Sequence, residues 1–356
     1  MNEVIGILGY SGKMGSALCM LIPRDLTLKL GQRHISCINR VNTEYQQVDI
    51  CDAIGMKAFT KGISILINCA GPSMKLLDFA ANAASERGIP YIDAFGGDLL
   101  ETKLKNSGVK GSFILNAGSF PGLTGSIPLE IAGTYFDSVK SFSLETDNHE
   151  NWGKASALDL VFSAVNQYGK ANQYYSNGKI VPCKNNRATP TADGFSKSEY
   201  INKETIEVAK ILDASEAHFI QVRAGMAGEQ ELQKIIQQYI MTENDSFLES
   251  MINEKISQRV SEEYFKVSCS MTGIRKKQER KVFEELIFTN SYLAGAIMIY
   301  HCVKELLSMR DRLFLGIKNA YELAIGRTLI NECEAHGAKR TIKIIETEEM
   351  EEGNIL

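Results

Sequence analysis

Val4-Ile5-Gly6-Ile7-Leu8-Gly9-Tyr10-Ser11-Gly12-Lys13-Met14-Gly15 is the stretch whose reading decides the fold. The apolar run Val4 to Leu8 is long enough for one buried strand, glycines stand at 6, 9, 12 and 15, and Ser16 to Ile22 has the composition of a helix. Strand, glycine turn and helix is the order a dinucleotide site requires. Residues without a Cβ let the backbone bend tightly and let a pyrophosphate approach it. The helix that follows offers unpaired N–H groups and the positive end of its dipole. Counted from Gly6, the spacing is Gly-x-x-Gly-x-x-Gly, a variant of Gly-x-Gly-x-x-Gly. A nucleotide-triphosphate loop built around Gly12-Lys13 is excluded, because Ile7 stands where its first glycine belongs and Met14 replaces the magnesium-binding Ser/Thr.

Outward from this turn, Leu26 to Leu30 alternates as a second strand and ends in Gly31-Gln32-Arg33. At the tip of that strand an acidic residue selects NAD, whereas an arginine accommodates the 2′-phosphate of NADP. Arg33 stands there, Arg40 lies not far beyond, and no acid follows until Glu44, so the cofactor expected is NADP. A short β piece is expected within Tyr45 to Ile54, carrying Val48 and Ile50. Ile63 to Asn68 is a nearly continuous apolar run, as in a parallel strand covered on both faces. Met74 to Glu86 reads as a helix, Tyr91 to Ala94 as a strand, Leu99 to Asn106 as a helix and Ser112 to Leu115 as a strand. Strand–helix units of this length predict a parallel sheet with helices on both faces. Three strand ends then bring small and polar residues to one edge, at 68–72, 93–97 and 116–123. Ligands bind at such an edge.

These residues, in this order, resemble the saccharopine dehydrogenase-like family. The likeness lies in the N-terminal turn, Gly31-Gln32-Arg33, Asn68-Cys69-Ala70-Gly71-Pro72, Tyr91-Ile92-Asp93 and Gly118-Ser119-Phe120-Pro121-Gly122-Leu123. It covers about the first third of the chain and continues weakly at Phe288 to Leu307. Two departures stand out: Gly-Ser-Phe-Pro-Gly replaces a form that carries an acid in some members, and Gln32 rather than glycine precedes Arg33. The resemblance implies an NAD(P)-dependent oxidoreductase acting at a carbon–nitrogen bond. The expected reaction is reduction of an imine formed from an amino acid or amine and a carbonyl compound, or the reverse. A reductase of another double bond in secondary metabolism, and a regulator that senses NADP without turnover, are the alternatives.

The composition suits a soluble globular protein of two domains, with 44% hydrophobic and 23% charged residues over 356 positions. A net charge of −4 gives no reason to expect nucleic acid. The start of the chain has no signal-type core, and the apolar region Tyr292 to Val303 is too short to span a bilayer. Eight cysteines without a Cys-x-x-Cys and five scattered histidines predict reduced thiols, a cytoplasmic location and no metal. A homodimer taking a small-molecule substrate, with no membrane partner, completes the expectation.

The fold class expected is therefore α/β: a Rossmann-type doubly wound parallel sheet (1–123), a second α+β domain (124–290), C-terminal helices returning to the first (291–340) and an acidic tail (346–356). Within the second domain, strands are expected at Val139 to Glu145, Phe219 to Arg223, Tyr264 to Met271 and Glu279 to Phe288. Helices are expected at Ala155 to Tyr168, Glu229 to Tyr239 and Asp245 to Ser261; Asn172 to Asp193 reads as a hairpin and loop, and Glu204 to Leu212 fits strand or helix. Ser291 to Leu307 is a buried helix and Arg312 to Cys333 more helix.

The cofactor candidates are Gly6, Gly9, Tyr10, Ser11, Gly12, Lys13, Met14, Arg33, Asn68, Cys69, Ala70, Gly71 and Pro72. Asp93, at a strand end, is the catalytic candidate, able to orient an amine or support proton transfer; its plainer role is to cap the next turn. Tyr91 is expected to point elsewhere. Phe120 and Arg223 are the substrate candidates, and Arg275 and Lys277 could also hold a carboxylate. Tyr300-x-x-x-Lys304 has the spacing of the short-chain dehydrogenase pair but lies in an apolar stretch, where helical packing explains it better. Packing is likewise the expected role of Trp152, Tyr174 and Tyr175.

Overall fold

A computed structural model describes residues 3–166, 168–183, 189–190, 196–223, 229–256, 262–309, 313–323 and 328–346. The chain begins β1 (Val4–Leu8), α1 (Lys13–Leu21), β2 (Thr27–Gln32), β3 (Thr43–Gln47), α2 (Ala53–Phe59), β4 (Ile65–Asn68), α3 (Ser73–Leu76) and α4 (Phe79–Arg87). It continues with β5 (Tyr91–Asp93), α5 (Gly97–Ser107), β6 (Ser112–Leu115) and α6 (Leu123–Tyr135). These strands form one sheet in the order β6-β5-β4-β1-β2-β3, every neighbouring pair parallel. That is the doubly wound order, with its reversal beside β1, where the glycine turn emerges. All four residues of β4 and of β6 are buried, the signature of strands covered on both faces.

The second domain comprises β7 (Ser138–His149), α7 (Lys154–Val165), β8 (Gly169–Ala171), β9 (Gln173–Ser176), β10 (Lys179–Pro182), β11 (Thr189–Pro190) and β12 (Ser196–Asn202). It goes on through α8 (Lys203–Ile211), β13 (Glu216–Arg223), α9 (Glu229–Thr242), α10 (Asp245–Ile256), β14 (Tyr264–Arg275) and β15 (Gln278–Phe288). Its mixed sheet is centred on β7, which pairs parallel with β13 and antiparallel with β14. The expected hairpin is β9–β10, and Glu204 to Leu212 is helical, capped by the Asn202 side chain accepting from Thr205 N at 2.8 Å.

The return to the first domain is made by α11 (Ser291–Ser308), β16 (Gly316–Asn319), a 3₁₀ turn (Ala320–Glu322), α12 (Thr328–Ala335) and β17 (Lys339–Glu346). Here the sequence expectation needs correcting. Arg312 to Cys333 is not all helix: β16 joins β6 in parallel as the seventh strand of the first sheet, and β17 adds to β15 in the second. Two elements of the first domain also differ from expectation. Val48 and Ile50 lie beyond β3, buried in the core rather than in its ladder. Met74 to Glu86 is broken at Leu77, whose φ of 39° stops α3. Residues 257–261 of the expected helix after Asp245, and the acidic tail beyond Glu346, lie outside the described residues.

One apolar core joins the two sheets. Ile5, Ile7 and Ile67 of the first sheet, Leu123, Ile127 and Ile131 of α6, Ile297 and Val303 of α11, and Leu144, Val267 and Leu286 of the second sheet belong to a single buried cluster. The crevice between the domains is thereby held in register with the strand ends. Among the described residues no helix is long and apolar enough to cross a membrane.

Candidate functional site

The cradle is built by Gly9, Gly12 and Gly15 rather than by Gly6. Gly9 has φ +72°, and a Cβ there would lie 2.6 Å from the Ala70 backbone. A Cβ on Gly15 would lie 2.4 Å from the Gly9 carbonyl oxygen, so this glycine lets α1 start against the turn itself. Gly6 sits inside β1, where its missing Cβ makes room for the Ile63 side chain; its role is packing. Gly12 caps α1 with no side-chain hydrogen bond, which leaves the first-turn N–H groups facing the edge where a pyrophosphate would sit. This shape fits a dinucleotide: the backbone turns tightly and a helix begins behind it.

The remaining candidates separate into those that face this edge and those that support it. Ser11 N donates to Gln32 Oε1 at 3.3 Å, so Gln32 ties the turn to the tip of β2. Arg33 follows it, exposed at that tip. Tyr10 is buried instead: its hydroxyl donates to the Ser36 carbonyl at 2.7 Å and its ring packs edge-on to Tyr45. Arg40 is also structural, its guanidinium holding the Cys19 and Ile22 carbonyls at the end of α1. Lys13 reaches over to the second domain, bonded to the Asn151 carbonyl and 5.1 Å from the Tyr292 ring centroid. Met14 lies between the turn and the interdomain cavity, with Gly295 of α11 against its thioether.

At the end of β4, Asn68 accepts from Ala70 N at 3.1 Å and donates to Asp93 Oδ2 at 3.1 Å, which fixes the loop Cys69-Ala70-Gly71-Pro72. Asp93 does not stand where its proposed catalytic role needs it. It is 2% exposed, accepts from the Tyr91 hydroxyl and Asn68, and caps the next turn through Phe95 N at 3.0 Å. Tyr91 therefore points toward Asp93, against expectation. Burial raises the Asp93 carboxyl to about 6 despite these donors.

Between the domains opens a cavity of about 440 Å³. One wall is the strand-end edge: Met14, Ala94 to Asp98, Asn116 and Gly118 to Pro121. The other comes from the second domain, with Asn148, Glu150, Trp152, Asp159, Tyr168, Tyr200, Lys203, Glu204 and Gln221. Phe120 belongs to it, stacked on Phe219 at 4.6 Å. Trp152 lines it too, so its role is more than packing. Lys203 is bound to Asp98, Glu101 and Glu207.

Two carboxylates here were missed from sequence. Asp159 of α7 accepts from Ser73 N at 3.1 Å and Met74 N at 3.3 Å, and Glu204 of α8 accepts from Gly122 N at 2.5 Å and Thr124 Oγ1 at 2.6 Å. Burial raises both to about 7. The only local signal was an acid inside the apolar helix Ala157-Leu158-Asp159-Leu160-Val161.

Arg275 and Lys277 do not line the cavity. Arg223 ends β13, but its side chain lies outside the described residues. Arg275 pairs with Asp137 at 3.0 Å, and Lys277 is exposed in the β14–β15 turn. Lys304 pairs with Glu332, and Tyr300 packs edge-on to His336, away from the cavity, as the packing reading expects. Tyr174 stacks on His218 at 4.3 Å and Tyr175 is in the core.

No protein-family model matches the sequence, and no curated protein sequence does. Solved structures do match. Apo saccharopine dehydrogenase (L-glutamate-forming) from Saccharomyces cerevisiae superposes with a TM-score of 0.64, over 97% of this chain and 100% of that one, at 12% identity. The chain has the saccharopine dehydrogenase fold. An engineered D-amino acid dehydrogenase bound to NADP+ is similar at a TM-score of 0.50 and 13% identity, covering 91% of this chain and 96% of that one. At such identities the likeness establishes architecture; the chemistry has to be argued from the site.

Proposed function

We propose that this protein is an NADP-dependent oxidoreductase that reduces an imine formed from an amino acid or amine and a carbonyl compound, or runs the reverse reaction. The observation that carries the reading is the junction of two features. A tight glycine cradle at the start of α1 runs directly, through Met14, into a cavity shared by the two domains. The cofactor, when bound, supplies hydride transfer. Gly9, Ser11, Gly12 and the first turn of α1 would hold the pyrophosphate, and Arg33 the 2′-phosphate. Asn68 to Pro72 would form the floor beneath the nicotinamide. Asp93 holds that floor from behind, through Asn68. The substrate would occupy the cavity between Phe120 and the walls from α7 and β13, with the second domain excluding water.

The polar lining that includes Glu150, Asp159 and Glu204 supports a substrate with a hydrogen-bonding amine or imine nitrogen. A homodimer remains part of the proposal, checked by the sedimentation mass of the 39.4 kDa chain. The test of the reaction is NADPH oxidation by the purified protein with panels of amines and carbonyl compounds. Consumption is expected only when both partners are present. Consumption with the carbonyl compound alone would contradict imine chemistry.

A further inference from the structure

The crevice edge of the first domain is braced by the second domain as well as by its own hydrogen bonds. Its two loops beyond β4 and β6 each begin a helix, and neither helix has a side-chain cap of its own: Pro72 precedes α3 and Gly122 precedes α6, both without a cap hydrogen bond. Carboxylates of the other domain reach both: Asp159 caps α3, and Glu204 holds Gly122 and Thr124, while Leu123 N and Thr124 N of α6 bond to the Gly118 and Ser119 carbonyls. Asp159 uses both oxygens, Oδ2 on Ser73 N and Oδ1 on Met74 N, and is 7% exposed. Glu204 likewise uses both, Oε2 on Gly122 N and Oε1 on Thr124 Oγ1, and is 5% exposed. Space for each carboxylate is made by a glycine. A Cβ on Gly71 would come within 3.3 Å of Asp159 Oδ2, and one on Gly125 within 2.8 Å of Glu204 Oε2. Two independent elements, α7 and α8, thus hold the loops on either side of the β5 loop.

The sheet order locates the consequence. β2, whose tip meets the adenosine, lies on one side of β1; β4, β5 and β6 lie on the other. The loops held by Asp159 and Glu204 therefore border the nicotinamide half of the cofactor and the substrate cavity, and leave the adenosine half alone. We propose that Asp159 and Glu204 are positioning residues: carboxylates of the second domain that set the nicotinamide-side loops across the domain boundary, Asp159 by capping α3 and Glu204 by holding Gly122 N and the Thr124 hydroxyl where α6 begins. This inference rests on the reading of the crevice as a dinucleotide site.

The test separates the two halves of the cofactor. The full chain and its Asp159→Asn and Glu204→Gln variants are titrated with NADPH and, separately, with 2′,5′-ADP, which carries only the adenosine half. If NADH proves to be the ligand, it is paired with AMP instead. Each variant replaces one of two acceptor oxygens with an amide nitrogen that faces a donor, so the NADPH Kd is expected to rise roughly tenfold. The Kd for 2′,5′-ADP should stay unchanged, which also shows that the variants are folded. Equal weakening of both ligands, or no weakening of NADPH, overturns the positioning role. A wild-type protein that binds neither ligand removes the dinucleotide reading itself, and this inference with it.

Discussion

Single carboxylates at helix starts recur throughout the molecule. Besides Asp159 and Glu204, Glu150 accepts from Ser291 N at 2.6 Å at the start of α11, and Glu130 accepts from Ile330 N at 3.2 Å in α12. Each gains from the positive end of a helix, and each loses the solvation of its charge. Burial wins in all four, holding the carboxyls above their ordinary values, Glu130 at about 7 with Glu284 adding to the rise. The sign follows from linkage. The folded protein binds the proton more tightly than the unfolded chain, so this contribution is full below the ordinary carboxylate value and is lost as pH rises through about 7. Asp78, Glu101 and Glu332 are held low, and their opposite contribution is already complete above that range. Glu130→Gln, outside the candidate site, should therefore flatten the loss of stability between about pH 5 and about pH 8, by on the order of 2 kcal/mol. Urea midpoints at the two pH values measure it; an unchanged slope would contradict the account. None of these roles is legible locally. Ser73 is 86 residues from Asp159 and Gly122 is 82 from Glu204, so only the folded chain reveals the pairs. The glycine turn was legible because strand, turn and helix are contiguous. Gly6, a cofactor candidate alongside Gly9, lies inside β1, and a spacing that repeats every three residues does not separate strand glycines from turn glycines.

At the scale of elements, the strands of the first sheet were readable where burial on both faces leaves an unbroken apolar run, as in β4. β16 and β17 were not. β16 is four residues long and is defined by its partner β6, while seven of the eight residues of β17 are exposed, which erases the period-two pattern. The packing of α11 on α1 shows what a helix contributes to the site from a distance. A Cβ on Gly295 would lie 2.5 Å from Met14 Cε and 3.0 Å from Ser119 N, so the helix presses against both the cofactor turn and the loop after β6. Gly295→Leu is expected to displace Met14, lower stability by roughly 1–3 kcal/mol and weaken NADPH binding. Denaturant unfolding and a nicotinamide titration check this. Wild-type affinity in a destabilised variant would show that α11 supports the core alone.

For the whole molecule, the decisive fact is that one apolar core runs through both sheets, with β16 and β17 stitching the end of the chain into each. The cavity is thus a fixed product of the fold, and its two walls are covalently and hydrophobically tied. The doubly wound sheet and the second domain were readable from sequence; the walls of the cavity were not, because they come from residues between 14 and 292 that meet only in space. The central claim is that the crevice holds NADP through the glycine cradle and Arg33. A titration of the purified protein with NADPH and NADH, repeated with Arg33→Ala, tests it most directly. Tight NADPH binding that the variant weakens roughly tenfold, with NADH little affected, is the outcome expected for a charged contact to the 2′-phosphate. A preference for NADH, or an Arg33→Ala variant that binds NADPH as well as the wild type, would contradict the NADP assignment. Binding of neither nucleotide would contradict the oxidoreductase itself.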